Sequence, residues 1–127
     1  MTMTADVDTL ARVCAVNDLE VERGRAALFG STQIALFLLA DGSVHAVSNL
    51  DPYSGAQVMS RGIVGTRDGA PTVASPLHKQ LFDLRTGLCL DTKGGEPASL
   101  RVWTLVERDG DLLLDVADLL LDVAETA

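Results

Sequence analysis

Asp41-Gly42, Asp68-Gly69 and Asp109-Gly110 each break up short runs of apolar, strand-like residues. Asp and Gly tolerate the positive φ angles that two-residue hairpin turns require, so this punctuation directs the chain toward antiparallel strand pairs. Ser54-Gly55 and Thr86-Gly87 add further breaks. Between the breaks, strands are predicted at residues 11–16, 26–29, 33–39, 44–49, 72–75, 80–84, 103–107 and 112–116. Residues 33–39 and 44–49 make one expected hairpin, and 103–107 with 112–116 another. Short strands at regular spacing, with no long 3.6-residue period before residue 110, point to an all-β fold. The expected form is a small antiparallel sandwich or barrel of about 8–10 short strands rather than βαβ units. Asn17-Asp18 ahead of Leu19 offers a cap for one helical turn.

Composition narrows the class. A chain of 127 residues suffices for one domain. Hydrophobic residues make up 47% and aromatics only 4%, so the core must come from Val, Leu, Ile and Ala, which suit a pleated surface. The formal charge of -8 repels phosphate backbones and anionic lipid, which argues against nucleic acid and membrane as partners. The longest apolar run, 34–40, is far shorter than the ~20 residues of a membrane helix. The first ten residues carry neither a basic nor an apolar stretch, so no signal peptide is expected and a cytoplasmic location is. Cys14 and Cys89 form no CxxC pair and read as buried thiols in a reducing compartment, with a disulfide as the lesser alternative.

Two segments stand out as chemistry-bearing loops, residues 48–56 and 74–87. Each follows an apolar strand and contains a proline, Pro52 or Pro76, with polar side chains two or three residues apart. Such loops suit two hairpin ends that meet over a site. They resemble the two cluster-binding loops of Rieske domains, where the first carries Cys-x-His and the second Cys-x-x-His ahead of a Phe-Asp-x-x-Thr-Gly strand and turn. The matching positions here are Asp51, Tyr53, Ser75 and His78. A Rieske centre takes two thiolates and two imidazoles. Asp51 and Ser75 offer no sulfur, and Cys14 and Cys89 lie in other predicted elements, so an iron–sulfur cluster is rejected on the ligand requirement. Asp51, Tyr53 and His78 are also a weak set for a single metal ion, because tight sites bring more ligands and an ordered second shell. Asp51 before Pro52 fits a turn in which the carboxylate bonds nearby N–H groups.

The strings Asn49-Leu50-Asp51-Pro52-Tyr53, Met59-Ser60-Arg61-Gly62-Ile63-Val64-Gly65, Ala74-Ser75-Pro76-Leu77 and Gly87-Leu88-Cys89 resemble the small subunit of assimilatory NAD(P)H nitrite reductases. The likeness spans about residues 10–116. It implies a Rieske-like fold without cluster ligands, serving an enzyme that reduces nitrite to ammonium with NAD(P)H. It further implies FAD, sirohaem and a [4Fe-4S] cluster on a large subunit, and no cofactor on this chain. His78, with Lys79 after it, keeps a ligand-like residue and so departs from that family's pattern. The chain has no GxGxxG opening a helix, no nucleophile elbow and no Walker loop, so no catalytic residue is expected on it. The emptied loops are the candidate surface for the large subunit: Asp51, Pro52, Tyr53, Ser75, Pro76, Leu77, His78 and Lys79, with Arg61 nearby. A non-redox interaction or regulatory module of another oxidoreductase is the alternative, since fold does not fix function. A Rieske-type ferredoxin is opposed by the missing cysteines.

Residues 111–117 read Asp-Leu-Leu-Leu-Asp-Val-Ala, and 118–124 repeat them letter for letter. A seven-residue period suits a helical heptad, but the first copy already completes the last hairpin. The second is therefore a duplication, expected as a short C-terminal helix, an extra edge strand or a partner contact. Left exposed, its leucines invite self-association. The expected layout is a flexible N-terminus at 1–9, the β domain at 10–116 and the duplicated tail at 117–127. His45, alternating with Val44 and Ala46, is expected at the surface or rim. Trp103 is expected in the core or at an interface.

Overall fold

Ile34, Ala35, Leu36 and Phe37 are each 0% exposed in the computed structural model, which describes residues 10–115. Consecutive buried residues in a strand require packed layers on both of its faces. The strand is β3 (Thr32–Leu38), and it lies inside the four-stranded sheet β2–β3–β4–β9, with β2 at Gly24–Phe29, β4 at Val44–Ser48 and β9 at Val102–Trp103. On one side packs a three-stranded sheet in the order β1 (Leu10–Ala15), β11 (Asp111–Asp115), β10 (Leu105–Arg108). The other four-stranded sheet runs β5 (Ile63–Arg67), β6 (Ala70–Ala74), β7 (Leu81–Asp83), β8 (Cys89–Asp91). Every strand pair in the three sheets is antiparallel. Ile34 and Leu36 enter a core with Cys14, Trp103, Leu112 and Leu114. Ala35 and Phe37 enter the opposite core with Val47, Met59, Val73 and Phe82.

The turns follow the expected chemistry in two of three cases. Asp68 and Gly69 have φ of 51° and 83°, and Asp109 and Gly110 have 54° and 84°, so both residues of each pair take the left-handed conformations of a tight hairpin. They join β5 to β6 and β10 to β11. At Asp41-Gly42 only Gly42 is left-handed, at 89°. There the connection between β3 and β4 is longer, closed by Leu39 N–H on the Ser43 carbonyl at 2.9 Å and by Ser43 Oγ–H on the Asp41 carboxylate at 2.6 Å.

Eleven strands are present among the described residues, and three departures from the sequence reading explain the difference. β5 is mostly exposed and sits at a sheet edge, so it carries no buried alternation to betray it. β8 is a three-residue edge strand paired through a register shift. The expected strand at 103–107 breaks at Thr104: β9 pairs with β4 while β10 pairs with β11, so one apolar run hands the chain from one sheet to another. A helical turn does form near Asn17, but Asn17 and Asp18 lie within it instead of capping it: it is a 3-10 turn at Val16–Asp18 with Ala15 at its N-cap, and the Asp18 carboxylate reaches back to accept the Ala15 N–H at 3.0 Å. Trp103 lies in the core, and half-buried His45 rests against Ser43 Oγ at 3.2 Å. Both cysteines are free thiols, Cys14 buried and Cys89 half-buried. No helix among the described residues is long and apolar enough to cross a membrane. The expected N-terminal segment, C-terminal helix and tail fall outside the described residues.

A second 3-10 turn, Met59–Arg61, packs on β2 at Gly24. A Cβ at Gly24 would overlap the Ser60 carbonyl oxygen and come within 2.8 Å of the Phe37 ring. Gly24→Ala is therefore expected to destabilise the domain by about 2 kcal/mol, as overpacking does. Thermal unfolding followed by circular dichroism measures it, and an unchanged Tm would show that this close approach is not required.

Candidate functional site

The first loop leaves β4 at Asn49, which is buried and bonded at every polar group. Its N–H donates to the Gln33 carbonyl at 3.0 Å, its amide nitrogen to Gln33 Oε1 at 3.0 Å and to the Gln57 carbonyl at 3.2 Å. Its side-chain oxygen accepts the Ser60 N–H at 2.7 Å, and its own carbonyl accepts the Met59 N–H at 3.0 Å. One asparagine thus ties both ends of the loop to β3. Asp51 follows, 0% exposed. Its N–H donates to the Ala56 carbonyl and its carbonyl accepts the Gly55 N–H, both at 2.8 Å. Oδ1 accepts the Tyr53 N–H at 2.9 Å, the turn anticipated for Asp before Pro.

The second loop leaves β6 at Ser75, also 0% exposed. The Ser75 N–H donates to the Gln80 carbonyl at 2.9 Å, and its carbonyl accepts the Lys79 N–H at 3.1 Å. Lys79 closes this turn at a φ of 66°. The Ser75 hydroxyl accepts the Leu77 N–H at 3.2 Å and donates to Asp51 Oδ2 at 2.7 Å. That last bond joins the two loops across 24 residues of sequence. Burial alone would push the Asp51 carboxyl up. The hydrogen bonds from Ser75, Tyr53 and Ser54 outweigh it and hold the carboxyl below its ordinary range.

Tyr53 turns elsewhere. Its hydroxyl donates to the Glu96 carbonyl at 2.7 Å and accepts the Ala98 N–H at 3.1 Å, with Cys89 Sγ at 3.4 Å. The Cys89 contact, with burial, pushes the phenol up. Tyr53 therefore clamps the segment after β8 rather than pointing a donor toward Ser75. His78 is exposed, as are Pro52, Leu77, Lys79 and Arg61, while Pro76 is half-buried. Arg61 ends the 3-10 turn at Met59–Arg61. The structure thus brings Asp51 and Ser75 together and leaves Tyr53 and His78 in separate surroundings. Two residues of weight were not singled out from sequence: Asn49, and Leu50, an exposed leucine on the first loop that matches Leu77 on the second. The signal for Asn49 was a polar residue closing an apolar strand.

The donors do not fit a Rieske cluster. Where two thiolates and two imidazoles are needed, the chain places a carboxylate and a hydroxyl already bonded to each other, a phenol engaged by backbone, and one exposed imidazole. Among the described residues no group of three or more His, Cys, Asp or Glu side chains is placed to hold a metal ion.

Ser75→Ala removes the inter-loop donor and leaves a buried carboxylate short of a partner, so a loss of about 1–3 kcal/mol is expected in denaturant unfolding. Because the Asp51 carboxyl is lowered on folding, its contribution is complete above the ordinary carboxylate range near pH 4 and is lost as pH falls through the lowered value. Asp51→Asn should flatten that acid limb of the stability profile. An acid limb as steep as in the parent chain would assign it to other carboxylates.

Residues 9–115 match the Rieske-like [2Fe-2S] domain family. The nitrite reductase (NADH) small subunit of Escherichia coli (strain K12) is 41% identical over 80 residues, covering 62% of this chain and 74% of that protein. The nitrite reductase [NAD(P)H] large subunit of Klebsiella oxytoca is 42% identical over 98 residues, which cover 77% of this chain and only 10% of that protein's length. Among solved structures, a Mycobacterium tuberculosis protein described as an NADH-dependent nitrite reductase small subunit shares 46% identity at a TM-score of 0.75, over 83% of this chain and 92% of its own. An all-β fold of three antiparallel sheets, two loops joined through Asp51 and Ser75 and these likenesses agree: the chain belongs to the Rieske-like [2Fe-2S] domain family and, within it, to the nitrite reductase small subunits.

Proposed function

We propose that this chain is the non-catalytic small subunit of a cytoplasmic NAD(P)H-dependent nitrite reductase, acting in nitrate assimilation by binding the catalytic large subunit. The observation that carries the reading is the Klebsiella oxytoca protein, named a large subunit, which contains a stretch 42% identical to 98 residues of this chain. A domain joined covalently to a partner in one protein has a natural counterpart in a separate subunit that docks on the same partner. In this reading FAD, sirohaem and a [4Fe-4S] cluster reside on the large subunit, which takes nitrite to ammonium, and this chain supplies shape and contact.

The two joined loops are the proposed contact surface. Leu50 and Leu77 are 40% and 48% exposed, one on each loop, with Pro52 and His78 also exposed. Exposed apolar side chains with a polar rim are what an interface core needs. Lys79, whose ammonium reaches the Pro76 carbonyl at 3.4 Å on the second loop, and the exposed Arg61 are cations in a chain of net charge -8, and such charges favour one docking orientation. Asp51 and Ser75 serve as positioning residues, holding the loops at a fixed separation.

Co-purification of the tagged chain with the large subunit tests the reading. Leu50→Arg with Leu77→Arg should weaken the complex about tenfold or more, as loss of buried apolar anchors does, with the circular dichroism spectrum unchanged. Nitrite-dependent NAD(P)H oxidation should fall with complex formation. A chain that fails to bind the large subunit, and whose deletion leaves nitrite reduction intact, would refute it. Binding that survives both leucine substitutions would move the interface off the loops.

A further inference from the structure

β11 is the central strand of its sheet, flanked by β1 and β10. Leu112 and Leu114 are buried beside Cys14, and Asp111 holds the Arg12 guanidinium at 2.9 Å. Residues 118–124 duplicate 111–117 in full. A seven-residue displacement along the strand therefore sets Asp118 in the place of Asp111, Leu119 in that of Leu112 and Leu121 in that of Leu114. In other strands a slip by an odd number of residues turns each side chain to the wrong face, which is how a buried face enforces register. Here the repeat removes that penalty, because the core receives the same side chains.

We infer that the slot between β1 and β10 accepts either copy, so that the chain carries a spare for its own central strand and exchanges the two by a seven-residue slip. Either arrangement leaves one copy outside the slot, so the apolar area that the repeat buries there is the same. The difference lies in the connection from β10. The two-residue turn at Asp109-Gly110 becomes a nine-residue loop, 109–117. Closing nine residues in place of two lowers the slipped population about tenfold, and loss of the tight turn lowers it further. The same slot on a second copy of the chain competes poorly, because a segment tethered two residues away meets its own slot at an effective concentration on the order of millimolar.

Cys14 lies directly opposite Leu112, which supplies the test. In the full chain carrying Cys89→Ser, Leu112→Cys reports the first copy in the slot and Leu119→Cys the second. Directly opposed strand residues lie within disulfide reach. Leu120→Cys is the control, since it corresponds to Leu113, opposite Arg12. Under mild oxidation Leu119→Cys should form a disulfide with Cys14 within one chain, about tenfold more slowly than Leu112→Cys or slower still, and Leu120→Cys should form none. A disulfide only between chains, an equal yield from Leu120→Cys, or none from Leu119→Cys overturns the inference. Should the buried cysteines prevent folding, Gly110→Val reads the same exchange. It breaks the tight turn, where Gly110 has a φ of 84°, but not a nine-residue loop. Its effect on the folding equilibrium should be about threefold smaller in the parent chain than in one carrying Leu119→Asp and Leu121→Asp. Equal losses in the two would refute the exchange.

Discussion

Four consecutive residues of β3, from Ile34 to Phe37, are cut off from water on both faces, and a polar side chain at any of them would sit unpaired in one of two cores. The requirement propagates outward. One core must be closed by β1, β10 and β11, the other by the sheet from β5 to β8 and the turn at Met59. The chain meets both demands with strands of two to seven residues, and moves between sheets without long connections where it can. The break at Thr104 is the sharpest case, with Trp103 packed against Ala46 in one sheet and Leu105 opposite Leu114 in another.

The loops depend on that frame. Asn49 anchors the first to Gln33 at the edge of the β3 run, and Ser75 follows directly from β6, whose Val73 is buried against the second core. The Asp51–Ser75 bond then has little positional freedom left to lose on forming. This is why a single short bond between a carboxylate and a hydroxyl suffices to join two loops that are mobile elements in most folds.

Much of the frame was legible from local chemistry. Asp-Gly pairs at 68–69 and 109–110 marked hairpin turns because left-handed backbone there is demanded by the strand twist itself. β5 and β8 were not, because edge strands with exposed side chains take their identity from a neighbour rather than from their own pattern. At the site, Asp51 and Ser75 were recognised as positions without sulfur, yet nothing in their spacing indicated that they bond to each other, a contact set by tertiary packing. Tyr53 was grouped with them by position and proved to belong to the segment around Glu96 and Ala98, which only the three-dimensional path of the chain after β8 could decide.

The link between Asp51 and Ser75 also changes what the cell must provide. A cross-link made from a side-chain hydroxyl and a carboxylate is in place as soon as the two loops fold. It waits for no iron or sulfide delivery and has no thiolate to lose to oxygen. The separation of the two loops is thereby set by the polypeptide itself, through groups that neither oxidation state nor metal supply alters.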